Sequence, residues 1–203
     1  MAPRTVSVIL FDGFELLDVF GPVELLSVLP DEFAVTFVGP TARPVASSQG
    51  VTVNAERAFS DAEPADVMLI PGGIGTRALV GDAGFLDWLR DYATGCGIVS
   101  SVCTGSGVLA AAGLLDGYRA TSNKLAFAWA SSQGEDVTWV PHARWVEDRD
   151  RWTSSGVAAG MDMTTALIRS LCGPETAQHA ADYIELDVQT DSTRDRFAAL
   201  HGL

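Results

Sequence analysis

Cys103 stands where a β-rich run, Ile98 to Val102, meets four small residues, Thr104-Gly105-Ser106-Gly107, and then an alanine- and leucine-rich stretch. Strand, abrupt turn at one reactive residue, then helix is the geometry of a nucleophile elbow. Small neighbours let the backbone bend sharply there and leave the side chain clear. The following helix aims its free N–H groups and positive dipole end at the sulfur, which favours thiolate over thiol. The plain alternative is a small buried hydrophobe, the usual state of a free cysteine. A second loop, Pro71-Gly72-Gly73-Ile74-Gly75, also follows a strand. The adjacent Gly72 and Gly73 permit unusual dihedrals, so their N–H groups could face a developing anion. Paired with the Thr104 N–H they would make an oxyanion hole.

A proton carrier must stand beside such a thiol. Asp12, Glu15 and Asp18 follow the first apolar run, Val6 to Phe11. Glu15 and Asp18 are three residues apart, on roughly one helical face. Either could reach a sulfur across neighbouring strand ends and accept, hold or donate its proton. A charged carboxylate there disfavours the thiolate unless it is itself protonated. Histidine is the usual base beside cysteine. Of His142, His179 and His201, only His142, beside Pro141 at a strand end, is placed to serve, so a protease triad has little support. Neither GxGxxG nor GxxxxGK[ST] occurs, which leaves both glycine loops outside the nucleotide-binding fingerprints.

The elements that must position these groups follow from hydrophobic period. Val6 to Phe11, Phe33 to Val38, Val67 to Ile70 and Ile98 to Val102 read as core strands. Leu16 to Leu26 reads as a helix that Gly21-Pro22 must kink or restart. Val45 to Val53 suggests a short hairpin, and Leu79 to Tyr92 an amphipathic helix. The segment after Cys103 reads as helix to about Leu114, and Leu125 to Ser131 as another short one. Val137 to Val140, Trp145 to Glu147 and Arg151 to Ser154 read as short strands. Gly160 to Leu171 and Pro174 to Leu186 read as helices. Alternating β and α elements imply a parallel sheet covered on both faces, with strand-end loops gathered at one edge.

With 203 residues, 47% of them apolar, the chain suits one α/β domain. Its formal charge of −13, from 26 acidic and 13 basic residues, argues against nucleic acid or an anionic membrane as partner. Cys96, Cys103 and Cys172 have neither disulfide-framework density nor zinc-ligand spacing. No apolar run reaches transmembrane length and no signal-peptide pattern opens the chain, so a cytoplasmic location is expected.

Four segments together resemble the DJ-1/PfpI superfamily, of class I glutamine amidotransferase-like fold, and within it the isocyanide hydratase-like branch. They are FDGFELLDVFGP at 11–22, IPGGIG at 70–75, SVCTGSGVLAAAGLLDG at 101–117 and SSGVAAGMDM at 154–163. The resemblance implies one domain over residues 1–203, a flavodoxin-like three-layer sandwich with a mostly parallel central sheet and helices on both faces. It implies Cys103 as nucleophile and Thr104 as the residue whose amide and hydroxyl lie at the site. Asp18 is then the acid, ahead of Glu15, and Gly73 and Ile74 the loop backbone near the nucleophile. One departure stands out: where related sequences commonly read ATTHW, this one reads ATSNKLAF at 120–127. Asn123 replaces the histidine and Lys124 the aromatic, which bears on substrate identity. The activity implied is hydration of a small isocyanide through a thioimidate to an N-substituted formamide, with no metal or organic cofactor. A homodimer is also implied. With the chain ending near residue 203 and no DNA-binding segment following, a regulator is not expected. The alternatives are another cysteine-dependent hydrolase, hydratase or glyoxalase-like enzyme, or a nonenzymatic redox sensor in which a low-pKa Cys103 is oxidised.

Overall fold

In the computed structural model, which describes residues 2–203, a seven-stranded sheet carries the site at one edge. Its first strand, β1 (Arg4–Ile9), is buried from Val6 onward, as a strand covered on both faces should be. Helix α1 (Leu16–Ser27), strand β2 (Phe33–Gly39), the antiparallel pair β3 (Pro44–Ala46) and β4 (Thr52–Asn54), and edge strand β5 (Arg57–Ala58) follow. Next come β6 (Val67–Ile70), α2 (Thr76–Leu79), α3 (Ala83–Thr94) and β7 (Ile98–Ser101). The chain continues through α4 (Gly105–Ala111), β8 (Arg119–Ala120), α5 (Phe127–Ala130) and β9 (Thr138–Trp139), with β8 and β9 paired in parallel. It closes with β10 (Trp145–Asp148), β11 (Arg151–Ser154), α6 (Ala159–Cys172), α7 (Pro174–Tyr183) and α8 (Arg196–Leu200).

The sheet order is β10-β11-β7-β6-β1-β2-β5, parallel except where β10 meets β11. Helices flank it in groups, with α1, α6 and α7 packed together and α2, α4 and α5 forming another set. This is the three-layer α/β sandwich expected. From β1 the chain turns one way to β2 and the other way to β6 and β7. The switch point therefore lies between β1 and β6, where open α/β sheets form their crevices.

Two of the expected helices differ from the reading of the sequence, and β5 and α8 have no counterpart in it. The helix expected over Leu79 to Tyr92 is two helices, because the first closes at Val80 and Asp82 caps the next by accepting the Phe85 N–H at 3.0 Å. The helix from Leu16 instead runs through Pro22 without restarting. The proline, which lacks an N–H, removes the bond that residue 22 would give to the Asp18 carbonyl.

Candidate active site

Four strand-end loops converge above β1, β6, β7 and β11. Cys103 sits at the head of β7 with φ 59°, a left-handed conformation that a non-glycine residue rarely takes. Its backbone is held from both sides. The Cys103 N–H donates to Ser155 O at 3.1 Å, and its carbonyl accepts from Ser122 Oγ at 2.9 Å and Ser106 Oγ at 3.1 Å. Such over-determination is what lets a strained turn persist. Val157, in the loop after β11, is strained in the same sense, with φ 42°.

The sequence expects a thiolate, but burial reverses that. Cys103 is 6% exposed, and desolvation, then the neighbouring Asp18 charge, push its thiol well above the usual range. The Thr104 N–H, the Val157 N–H and the Asn123 side-chain amide border the sulfur and favour its charged form. None of them makes a well-formed hydrogen bond to the resting thiol.

Asp18 is fully buried in the first turn of α1, on the same stripe as Pro22 and Leu25. Its Oδ2 accepts the Gly72 N–H at 2.8 Å, while Oδ1 has no partner. Desolvation raises the carboxyl to about 7; the Gly72 N–H opposes this, and the charge of Glu15 adds to it. The Cys103 thiol lies near enough to bias the carboxyl slightly toward ionisation without forming a well-aligned hydrogen bond, so Oδ1 remains open. Glu15 lines the pocket that Cys103 borders and accepts a 2.6 Å bond from Gln49 Nε2.

The glycine loop does not present the open donors expected of it. The Gly72 N–H is taken by Asp18, the Gly73 N–H donates to Thr104 Oγ1 at 3.1 Å, and the Ile74 N–H reaches Ser48 Oγ at 3.4 Å. The Thr104 hydroxyl is likewise tied to the loop and to Thr76 Oγ1, 3.2 Å away, so of Thr104 it is the backbone N–H that serves the sulfur. Close approach explains the glycine: a Cβ on Gly72 would lie 2.6 Å from Thr104 N and 2.8 Å from Cys103 Cβ.

Asn123 is at the site, and His142 is not. The Asn123 Oδ1 accepts the Ala126 N–H at 3.0 Å, and its side chain packs so closely on Gly156 that a Cβ there would clash. Lys124 next to it is buried, donating from Nζ to Ala143 O at 2.6 Å, Thr121 Oγ1 at 2.8 Å and Ser122 O at 3.3 Å. Desolvation lowers that ammonium to about 8 against the opposing charge of Asp195. Lys124 thus pins the loop that presents Asn123. His142 is exposed and outside the pocket, its carbonyl accepting from Asp195 N. Sequence reasoning missed Val157 and Arg77, which join Cys103, Thr104, Asn123 and Glu15 around a cavity of about 270 Å³. Arg77 lies two residues past the glycine loop, the one local signal that could have found it. A larger cavity of about 650 Å³ beside Asp195 and Phe197 does not contain Cys103. Among the described residues, no group of three His, Cys, Asp or Glu is gathered to hold a metal ion, and no helix is long and apolar enough to cross a membrane.

Comparison with known proteins places this geometry in context. Residues 4–170 match the DJ-1/PfpI family. Isonitrile hydratase of Pseudomonas putida is 37% identical over 174 residues, 85% of this chain and 74% of that protein. The HTH-type transcriptional regulator CdhR of Pseudomonas aeruginosa is 29% identical over 182 residues, 88% of this chain but 54% of that one. A crystal structure of a ThiJ/PfpI family protein from Pseudomonas syringae superposes with TM-score 0.80 at 30% identity, covering 93% of this chain and 77% of that one. Drosophila melanogaster DJ-1beta shares the fold with TM-score 0.78 at 24% identity, covering 91% and 98%.

Proposed function

The chain belongs to the DJ-1/PfpI family, and from the geometry of its site we propose that it hydrates a small isocyanide through Cys103. The observation that carries this reading is the pairing of a buried thiol, which lines a pocket that no histidine lines, with a buried carboxyl beside it that is open at Oδ1 and raised to about 7. The kinship to isonitrile hydratase supports it.

Each group then has a task. Asp18, as carboxylate, takes the Cys103 proton while the substrate enters. The sulfur bonds to the terminal carbon of the isocyanide, and the proton held by Asp18 passes to that carbon, giving a thioimidate. A carboxyl near 7 can do both halves of this transfer at neutral pH. Negative charge on sulfur is met by the Thr104 and Val157 N–H groups and by Asn123, in place of the glycine-loop donors. Water then adds to the thioimidate carbon, nitrogen takes up a proton, and the C–S bond breaks to release an N-substituted formamide and restore the thiol. The net change is addition of one water, and the scheme calls for no metal or organic cofactor. The small cavity suits a small electrophile. A redox-sensor role would want an exposed, low-pKa thiol, and the burial of Cys103 argues the other way.

Incubation of the purified protein with a small alkyl isocyanide in ¹⁸O-labelled water tests the proposal. It expects loss of isocyanide with formation of a formamide labelled at its carbonyl. An unchanged isocyanide, with the protein folded and Cys103 reduced, sinks it. The homodimer implied by the resemblance belongs to the same proposal. Light scattering would then give twice the 21.4 kDa of one chain.

A further inference from the structure

Arg77 is the charged pocket residue for which the hydration steps have no use. Its guanidinium carbon lies 3.4 Å from the centre of the Trp129 ring, and its Nη1 donates to Thr76 Oγ1 at 2.9 Å. Its Nε and Nη2 make no hydrogen bond within the described residues. No carboxylate oxygen among those residues lies within 4.0 Å of it, although acids outnumber basic residues 26 to 13 in this chain. Glu15, the other charged side chain of the pocket wall, is engaged by Gln49 instead. The result is a half-buried cation, held in place by an aromatic face and one hydroxyl, with donors to spare in a pocket it shares with the candidate nucleophile. Stacking on an indole uses the face of the guanidinium and leaves its edge free, and that edge matches a carboxylate in two-point geometry.

We propose that Arg77 is a substrate-binding residue and that the electrophile is anionic, a small isocyanide that also carries a carboxylate. The carboxylate meets the guanidinium edge while the terminal carbon meets Cys103. The proposal rests on the hydratase reading above and names its substrate class. Ile74 and Leu125, 68% and 79% exposed at the rim, offer apolar surface to the short chain joining the two ends. The rival assignment is that Arg77 acts only on the sulfur, since its charge lies within Coulombic reach of Cys103. The two assignments differ in one readout, the preference between a charged and a neutral substrate.

The experiment compares isocyanoacetate with its methyl ester in the parent protein, Arg77→Gln and Arg77→Lys. The parent should favour the acid, chiefly through KM. Arg77→Gln should lower the acid-to-ester ratio of kcat/KM by roughly tenfold to a hundredfold, the size expected for charge-assisted hydrogen bonds, and Arg77→Lys should restore part of it. An equal fall for acid and ester, with the ratio intact, overturns the proposal and assigns Arg77 to the sulfur. Should neither isocyanide be turned over, the hydratase reading fails, and calorimetry still decides the question of the anion site. N-formylglycine should bind the parent more tightly than its amide does, and Arg77→Gln should abolish that difference. Equal binding of acid and amide by the parent overturns the anion site independently of turnover.

Discussion

Replacing Asp18 by asparagine should make the protein more stable at high pH, by an amount the burial of this carboxyl sets. Asparagine keeps the acceptor for the Gly72 N–H and carries no ionisable proton. In the parent, the folded carboxyl titrates at about 7, against an ordinary value of 3.8. As pH rises between these values the unfolded chain releases its proton first, so the folded state loses relative stability; above the folded value the penalty is constant. From about pH 5 to about pH 8 the stability difference between Asp18→Asn and the parent should therefore move in favour of the variant by roughly 2 to 3 kcal/mol. That window avoids the region near the isoelectric point of 4.4. Urea unfolding of both proteins across it gives the difference directly, and other titrating groups cancel between them. A difference that stays flat with pH would mean that Asp18 ionises normally in the folded protein, and the proton-transfer argument would fail with it.

If Asp18 must be a carboxylate to take the thiol proton, kcat/KM for a neutral isocyanide should fall as pH drops through about 7; a profile that rises toward acid contradicts this. Alkylation of Cys103 by iodoacetamide should be slow at neutral pH, because burial holds the thiol protonated, and slower still in Asp18→Asn, which lacks the carboxylate that takes the thiol proton. Peptide mapping reads this, and a faster variant would refute the role of Asp18 as base. Gly72→Ala should cost about 1 to 3 kcal/mol in thermal or urea unfolding, because its methyl group would press on Thr104 N and Cys103 Cβ. Unaltered stability would show that the loop has room to move.

Much of the frame was legible because it is local. The four core strands are short, mostly apolar runs broken only by Ser7, Thr36, Ser100 and Ser101, and the elbow at Cys103 is written in its small neighbours. Asp18 shares a helical stripe with Pro22 and Leu25, so its burial follows from spacing even though aspartate usually faces water there. What the sequence hid is non-local or competitive. The stacking of Arg77 on Trp129 joins residues far apart in the chain, and no period announces it. The charge state of Cys103 is a contest between a helix end, visible in sequence, and desolvation beside Asp18, which exists only after folding. The glycine loop was correctly placed beside the elbow, but its N–H groups are spent on Asp18, Thr104 and Ser48. Lys124, of a residue type that is almost never buried unpaired, is buried with three oxygen acceptors around its ammonium, a set that sequence alone does not show.

The most direct test of the central claim is the initial rate of isocyanide loss and formamide appearance in the parent and in Cys103→Ala, measured side by side at about pH 8, where Asp18 is mostly ionised. Turnover by the parent, with the variant reduced to the rate of buffer alone while remaining folded, is the result expected of a thioimidate formed on Cys103. Equal rates in the two proteins, or a folded parent with a reduced thiol that leaves the isocyanide intact, would contradict it.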